Sequence, residues 1–283
     1  MSGSGTAGLV AEFHAASREA LAAVRRRLSE STSEASGDDL VTVAGELEQV
    51  ADLLGREAHL RRTLADSSRS ADDREGLASR LFDEQVTTAT ADVVKAAVTS
   101  HWSRPEDLVD ALRTVSREAL LVSAEREGRL DAVEDELFRL GRIVGGEPEL
   151  ERLLADPAAD PDGKQQVLDR LLNDRAEPIT RRLAGQLVAH PVGHGVAQGL
   201  ERLAELAADR RERSVATVRS AAPLSEQQQE RLEGALARIY RRDVTLHLEV
   251  DPALVGGLVI QVGDEVIDGS VAGRLDDLRR RLG

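Results

Sequence analysis

The chain has 283 residues, 41% hydrophobic, 31% charged and 2% aromatic, with a formal net charge of -14. So acidic a chain repels phosphate backbones and anionic lipid surfaces, which excludes a nucleic-acid binder. It has no cysteine, so disulfides and thiolate metal sites are excluded as well. No apolar run reaches the ~18 residues of a spanning helix. The opening Met1-Ser2-Gly3-Ser4-Gly5 lacks a basic and an apolar leader segment, so a cytosolic chain with a polar tail is expected. Cores almost without aromatics must be built from Leu, Val and Ala, which favours helical bundles.

Leu9, Phe13, Ala16, Ala20, Val24 and Leu28 keep helical spacing, and the Ser-rich stretch Ser29 to Asp38 succeeds them as a loop. Val43, Leu47, Val50 and Leu54 form one stripe of a helix over Leu40 to Leu54. Shorter helices are expected around Glu57–Ala65, Asp73–Phe82 and Thr87–Ser100. Pro105 suits a first helical turn, and no Gly or Pro interrupts the pattern until Gly128. That predicts one continuous helix of about 22 residues with Leu108, Leu112, Val115, Ala119 and Val122 on one stripe.

The segment beginning near Ser116 repeats the first hundred residues. Ser17-Arg18-Glu19-Ala20-Leu21 recurs as Ser116-Arg117-Glu118-Ala119-Leu120, and Leu64-Ala65-Asp66 recurs as Leu154-Ala155-Asp156. Leu60, Arg62, Leu77, Leu81 and Phe82 meet Leu150, Arg152, Val167, Leu171 and Leu172 ninety positions on. In the second copy, Gly145-Gly146, Pro148, Asp156-Pro157, Pro161, Pro178 and His190-Pro191 punctuate short helices. A last one, over Val196 to Arg211, turns Val196, Leu200, Leu203 and Ala207 inward.

From Ser214 the period changes. Val215 and Val218 among polar residues suit a strand, and Pro223 ends it. Ser225 with Gln228 three on is a capping box for a helix with Leu232, Ala235, Leu236 and Ile239 on one face. Val244, Leu246, Leu248 and Val250 alternate with polar residues as a strand with one buried face. Asp251-Pro252 stops it. Gly256-Gly257 opens a second apolar run, Leu258 to Val262, and Gly263-Asp264 turns it into Val266-Ile267. Ser270, after Asp268-Gly269, is placed to cap a closing helix through Val271, Leu275, Leu278 and Leu282. A phosphate loop is excluded: no G-K-[ST] succeeds these glycines, and they lie between strands.

The stretch from Val244 to Leu275 resembles the C-terminal signature of the delta subunit of F-type ATP synthases, the family of the mitochondrial oligomycin-sensitivity-conferring protein. It matches at Asp251, Leu254, Gly256-Gly257, Leu258, Ile260, Gln261 and Gly263, and again over Ile267-Asp268-Gly269-Ser270-Val271 to Leu275. The run from Val215 to Ser225 also resembles that family, so the likeness covers the chain from about Ser116 onward. The first copy resembles the family only through the second. The resemblance implies a structural role for Asp251, Gly256, Gly257, Gly263, Asp268, Gly269 and Ser270. It further implies two partners, the N-terminal helices of the alpha subunits and subunit b of the peripheral stalk. Membrane association would come only through the complex, at the cytoplasmic face of a bacterial membrane, with no cofactor and no catalysis.

The expected architecture is therefore mostly α with a small α+β C-terminal domain: two helical bundles over 1–114 and 115–212, then a β-hairpin and helix domain over 213–283. Nothing in the residues composes an active site. His190 and His194 are four apart, but Pro191 and Gly193 break the helix that would align them, so they are expected as a loop pair without metal. His247 alternates outward, and Asp264 and Asp268 serve turns. Trp102 either anchors an interface or caps the first core. Residues alone define an interaction protein and leave two rivals open, a helical adaptor of another assembly and an enzyme whose site is shared between chains.

Overall fold

The computed structural model describes residues 13–172, 176–191, 195–213, 215–240, 244–251, 254, 256–262 and 265–269. The chain divides into two compact units, Met1–Ala207 and Ala208–Gly283. The division falls within a helix. Among the described residues the first unit is wholly helical. Its helices are α1 (Ala15–Ser31), α2 (Gly37–Arg56), α3 (Ala58–Ala65), α4 (Ala71–Phe82), α5 (Thr88–Thr99), α6 (Pro105–Arg126), α7 (Leu130–Gly146), α8 (Pro148–Ala155), α9 (Pro161–Leu172), α10 (Pro178–Ala189) and α11 (Val196–Arg213).

The helix limits recur at one offset. α3, α4 and α5 begin and end ninety positions before α8, α9 and α10. Side-chain chemistry repeats with the same offset. Glu46 of α2 accepts from the Thr87 backbone N–H at 2.9 Å and the Thr90 hydroxyl at 2.6 Å. Glu136 of α7 does the same for the Glu177 N–H at 3.0 Å and the Thr180 hydroxyl at 2.6 Å. Each carboxylate thus satisfies orphan donors at the start of the fifth helix of its copy. Arg74 closes the other end of α5, donating to Val98 O at 2.6 Å and Ser100 O at 3.0 Å. Its counterpart Lys164 is also buried.

α6 runs unbroken over 22 residues, and it belongs to both copies. Of the expected apolar stripe it buries Leu108, Leu112, Val115 and Ala119, with Val122 half-buried, and it also buries Val109, Ala111, Leu120, Leu121 and Ala124, along with Asp107, Ser116, Arg117 and Ser123. A helix buried on every side is a core element rather than a surface one. One apolar core accordingly runs from Phe13 to Ala207, through Leu21, Leu47, Leu112, Leu137, Leu183 and Leu203.

The Ser-rich loop is shorter than its composition suggests. α1 continues to Ser31, and Ser36 already caps α2 in a reciprocal box with Asp39. Arg126, at the end of α6, holds the remaining turn by donating to the carbonyls of Thr32, Ser33 and Ala35. Trp102 caps the first core. It is buried, and its indole N–H donates to Ala97 O at 2.8 Å.

Among the described residues the second unit holds a four-stranded sheet beside one helix, with strands β1 (Val215–Ser220), β2 (Thr245–Val250), β3 (Leu258–Val262) and β4 (Glu265–Asp268) in the order β2-β1-β3-β4. β1 and β2 are parallel and are joined through α12 (Glu226–Tyr240), as parallel neighbours require. β3 pairs antiparallel with β1 and with β4. The pair Val262 and Glu265 leaves two residues between them, which fits the expected hairpin. Ala216, Val218, Leu236, Val244, Ile260 and Val262 form the core.

Two sequence expectations fail in this unit. Leu248 and Val250 are 37% and 52% exposed, because β2 is an edge strand whose far half α12 does not cover. Ile239 is 65% exposed, because Leu232, Leu236 and Tyr240 are the helix residues that pack on the sheet. Gly263, Ser270 and the expected closing helix lie outside the described residues.

Candidate functional site

Two arrangements stand out. The first is a polar cluster where the two helical copies meet. On α2, Glu48 and Asp52 lie one turn apart and face Arg113 and Arg117 of α6, also one turn apart. The last turn of α10 and the residue after it, Gln186 and His190, complete the cluster. Asp52 Oδ1 accepts from His190 Nε2 at 2.7 Å and from Arg113 Nη2 at 3.2 Å. Arg113 Nε lies 3.8 Å from Glu48. Arg117 is 2% exposed and donates to the carbonyls of Gln186 and His190, each at 3.3 Å. Those carbonyls end a helix, where positive charge is favoured. Ser116 donates to Ala44 O at 2.7 Å and accepts from the Gln186 amide at 2.9 Å.

Burial dominates the electrostatics here. It raises the Glu48 carboxyl above its ordinary range, while Arg117 and Arg113 pull it back. It lowers His190, and repulsion from Arg113 adds to this, outweighing the attraction of Asp52. It brings the Arg117 guanidinium down to about 10, against the charge of Glu48. Ligand atoms of Glu48, Asp52 and His190 lie within 4.8 Å of one another. Arg113 contacts Asp52 and His190 at 3.2 Å and so already supplies the positive charge a cation would bring. The cluster therefore works as an ion-pair lock between copies.

The two shifts have opposite consequences for pH. A lowered His190 favours folding above its unfolded value of 6.5 and loses that contribution as pH falls. A raised Glu48 favours folding at low pH and loses that contribution as pH rises above its unfolded value of 4.5. Between those values the two oppose each other. His190→Gln is expected to flatten the loss of stability on going from neutral pH to about pH 5. Glu48→Gln is expected to steepen it. Thermal melts followed at Trp102, the sole tryptophan, check both.

The second arrangement gathers the signature residues at one end of the sheet. The Asp251 N–H donates to Ser220 O at 2.9 Å and so extends the β1–β2 edge. Gly257 takes φ +87° immediately before β3, a conformation that side chains with a Cβ rarely adopt. The Gly269 N–H donates to Leu258 O at 2.9 Å, and a Cβ on Gly269 would stand 3.2 Å from that oxygen. Beside them opens a mainly apolar groove of about 580 Å³, lined by Ser220, Pro223, Leu224, Arg231, Leu232 and Leu258 among others. Gly269→Val is expected to cost about 1–3 kcal/mol. The loss should appear in the signal of Tyr240, the sole tyrosine, which donates to Glu265 at 2.9 Å, and not at Trp102.

Of the remaining candidates, His247 is exposed on β2 as expected, and His194 and Asp264 fall outside the described residues. Asp268 contributes backbone to β4. His190 sits just past a helix end, as its proline neighbour implies, but it is no idle loop residue: it pairs with an acid on a helix far away in sequence.

A shared-helix bundle joined in sequence to a small α/β unit, with an ion-pair cluster where the two helical copies meet, is the class of protein the described residues define. The family model described as "ATP synthase delta (OSCP) subunit" matches residues 117–282. The ATP synthase subunit delta of Streptomyces coelicolor is 48% identical over 270 residues, covering 95% of this chain and 98% of that one. That of Rhodococcus opacus is 45% identical over 274 residues, covering 95% and 99%. A chain of the Toxoplasma gondii mitochondrial ATP synthase hexamer aligns with 59% of this chain, and over 94% of its own length, at 26% identity and a TM-score of 0.30. The chain belongs to the ATP synthase delta (OSCP) subunit family. The likeness to the bacterial relatives includes the first helical copy, which lies ahead of the family match. No helix among the described residues is long and apolar enough to cross a membrane.

Proposed function

We propose that the chain is the stator subunit of a proton-translocating F-type ATP synthase, joining the alpha subunits of the catalytic head to subunit b of the peripheral stalk. Its work is mechanical. It stops the head from turning with the rotor, so proton flow is coupled to ATP formation, and it makes and breaks no bonds itself. The observation that carries this reading is the identity with subunit delta relatives over 95% of the chain. A helix shared by two bundles and held by half-buried ion pairs suits a part that must bear load without bending.

In this reading the second helical copy, 115–212, receives alpha-subunit helices, and the last domain, 213–283, holds subunit b. The first copy, 1–114, is a duplicate of the second. Asp251, Gly256, Gly257, Gly263, Asp268, Gly269 and Ser270 shape the last domain rather than touch a ligand. The chain sits at the cytoplasmic face of the membrane, attached through its complex. The test is reconstitution on membranes carrying the proton channel and stalk. Catalytic head returned together with this chain is expected to pump protons on ATP addition, while head returned alone hydrolyses ATP without pumping. Equal pumping in both would overturn the reading.

A further inference from the structure

The junction between the copies holds a titratable ring between two opposite charges. His190 is the residue after α10, and its ring reaches α2 directly, without passing through α6. Its Nε2 stands 2.7 Å from Asp52 Oδ1, which only accepts, and 3.2 Å from Arg113 Nη2, which only donates. In the neutral ring the proton is therefore on Nε2 and is donated to Asp52. Nδ1 is left to take a second one. Asp52 Oδ1 also accepts from Arg113, so one oxygen serves two donors.

The surroundings are balanced only while the ring is neutral. α2 brings Asp52 and Glu48, the latter 4.0 Å from Nε2. α6 brings Arg113 and Arg117, and its exposed Asp110 acts on Arg117 more weakly than Glu48 does. α9 carries Lys164, buried at the position from which Arg74 reaches the end of α5. The acids of α7 and α9 are spent elsewhere on α10, Glu136 on Thr180 and Asp169 on Arg181. A helix end favours a cation, but Arg117 already donates to the Gln186 and His190 carbonyls. A second proton on the ring thus sets His190, Arg113 and Arg117 against Glu48 and Asp52, with two of those cations 3.2 Å apart.

We propose that His190 is an acid-operated release between the two helical copies: on taking a second proton from solvent, its ring gives up Asp52, turns outward and bares that turn of α2. Asp52 cannot hold two full cations on one oxygen. The ring, 32% exposed against 14% for Arg113, is the one with a way out. Pro191 comes next, with no N–H to tie the chain down. The copies stay joined through α6, through Arg117 and through Ser116, so one seam loosens while the unit stays folded. Burial first, then Arg113, holds the ring below its ordinary value. Its contribution to packing is therefore complete above 6.5 and is lost as pH falls below that. The raised carboxyl of Glu48 favours the packed state at lower pH and so limits the release from the other side.

Hydrogen exchange of the full-length chain, read by mass spectrometry and corrected for the intrinsic pH dependence of exchange, tests this. Between about pH 7.5 and about pH 5.5, protection is expected to fall in segments 44–56 and 183–190 and to hold in 71–82. His190→Gln keeps a neutral donor for Asp52 and is expected to abolish the fall. His190→Lys, charged throughout, is expected to show the loosened pattern already at about pH 7.5. Melts at Trp102 check folding, and if His190→Lys failed to fold, the unchanged chain and His190→Gln would carry the test. An equal fall in His190→Gln, or no fall in the unchanged chain, overturns the proposal. So does a fall shared by 71–82, which marks unfolding of the whole unit rather than release of one seam.

Discussion

Arg117→Ala is expected to lower the stability of the first unit by about 3–5 kcal/mol, the usual cost of breaking a buried charge network by removing one partner. The guanidinium is almost completely buried, bonds two carbonyls at the end of α10, and its charge is the largest attraction holding down the raised carboxyl of Glu48. Without it, Glu48 keeps Arg113, 3.8 Å away, and two helix-end carbonyls lose a donor. The diagnostic is a double-mutant cycle. Glu48→Leu combined with Arg117→Met removes both charges, and it should recover much of the loss seen with Arg117→Met alone. Urea unfolding followed at Trp102 gives the values. Strict additivity of the two changes would show that Glu48 and Arg117 do not act as a pair.

Ser116→Pro is expected to be costlier still. Proline in a helix interior removes a backbone bond and clashes with the preceding turn, at ~3 kcal/mol or more. It also deletes a hydroxyl that links Ala44 of one copy to Gln186 of the other, and each buried partner left unmade adds ~1–3 kcal/mol. The total rivals the whole stability of a typical domain, ~5–15 kcal/mol. The expected signature is simultaneous loss of hydrogen-exchange protection in α3–α5 and in α8–α10. If protection fell in one copy alone, α6 would not be a common element.

Much of this architecture is legible in the amino acids because its punctuation is local. Pro105 and Gly128 bracket α6 with nothing to interrupt it, and prolines at 148, 161 and 178 open three successive helices. β2 announces itself by alternation and β3 by its apolar run. Contacts between distant segments are harder to read. The central place of β1, which puts Val218 opposite both Leu248 and Ile260, depends on pairing that no local pattern specifies. Leu248 and Ile239 carry apolar side chains but fall where the small sheet and its one described helix run out of area to cover them. The lock between copies is hidden in the sequence because charges on helices are ordinarily solvated. A signal is present nonetheless. Glu48 with Asp52, and Arg113 with Arg117, are like charges spaced i, i+4, an arrangement that repels itself unless the opposite pair lies across from it.

The sharing of α6 changes what it takes to lengthen such a protein. Two separate six-helix bundles would need twelve helices and a linker. Here the closing helix of one bundle opens the next, so each further bundle requires five new helices, and the increment is the ninety residues that separate α3 from α8. Growth by that increment preserves the register of every existing contact and leaves no hinge to be stiffened afterwards. In this respect the first unit behaves as the shortest member of a solenoid, in which neighbours share their walls and stability adds along a line.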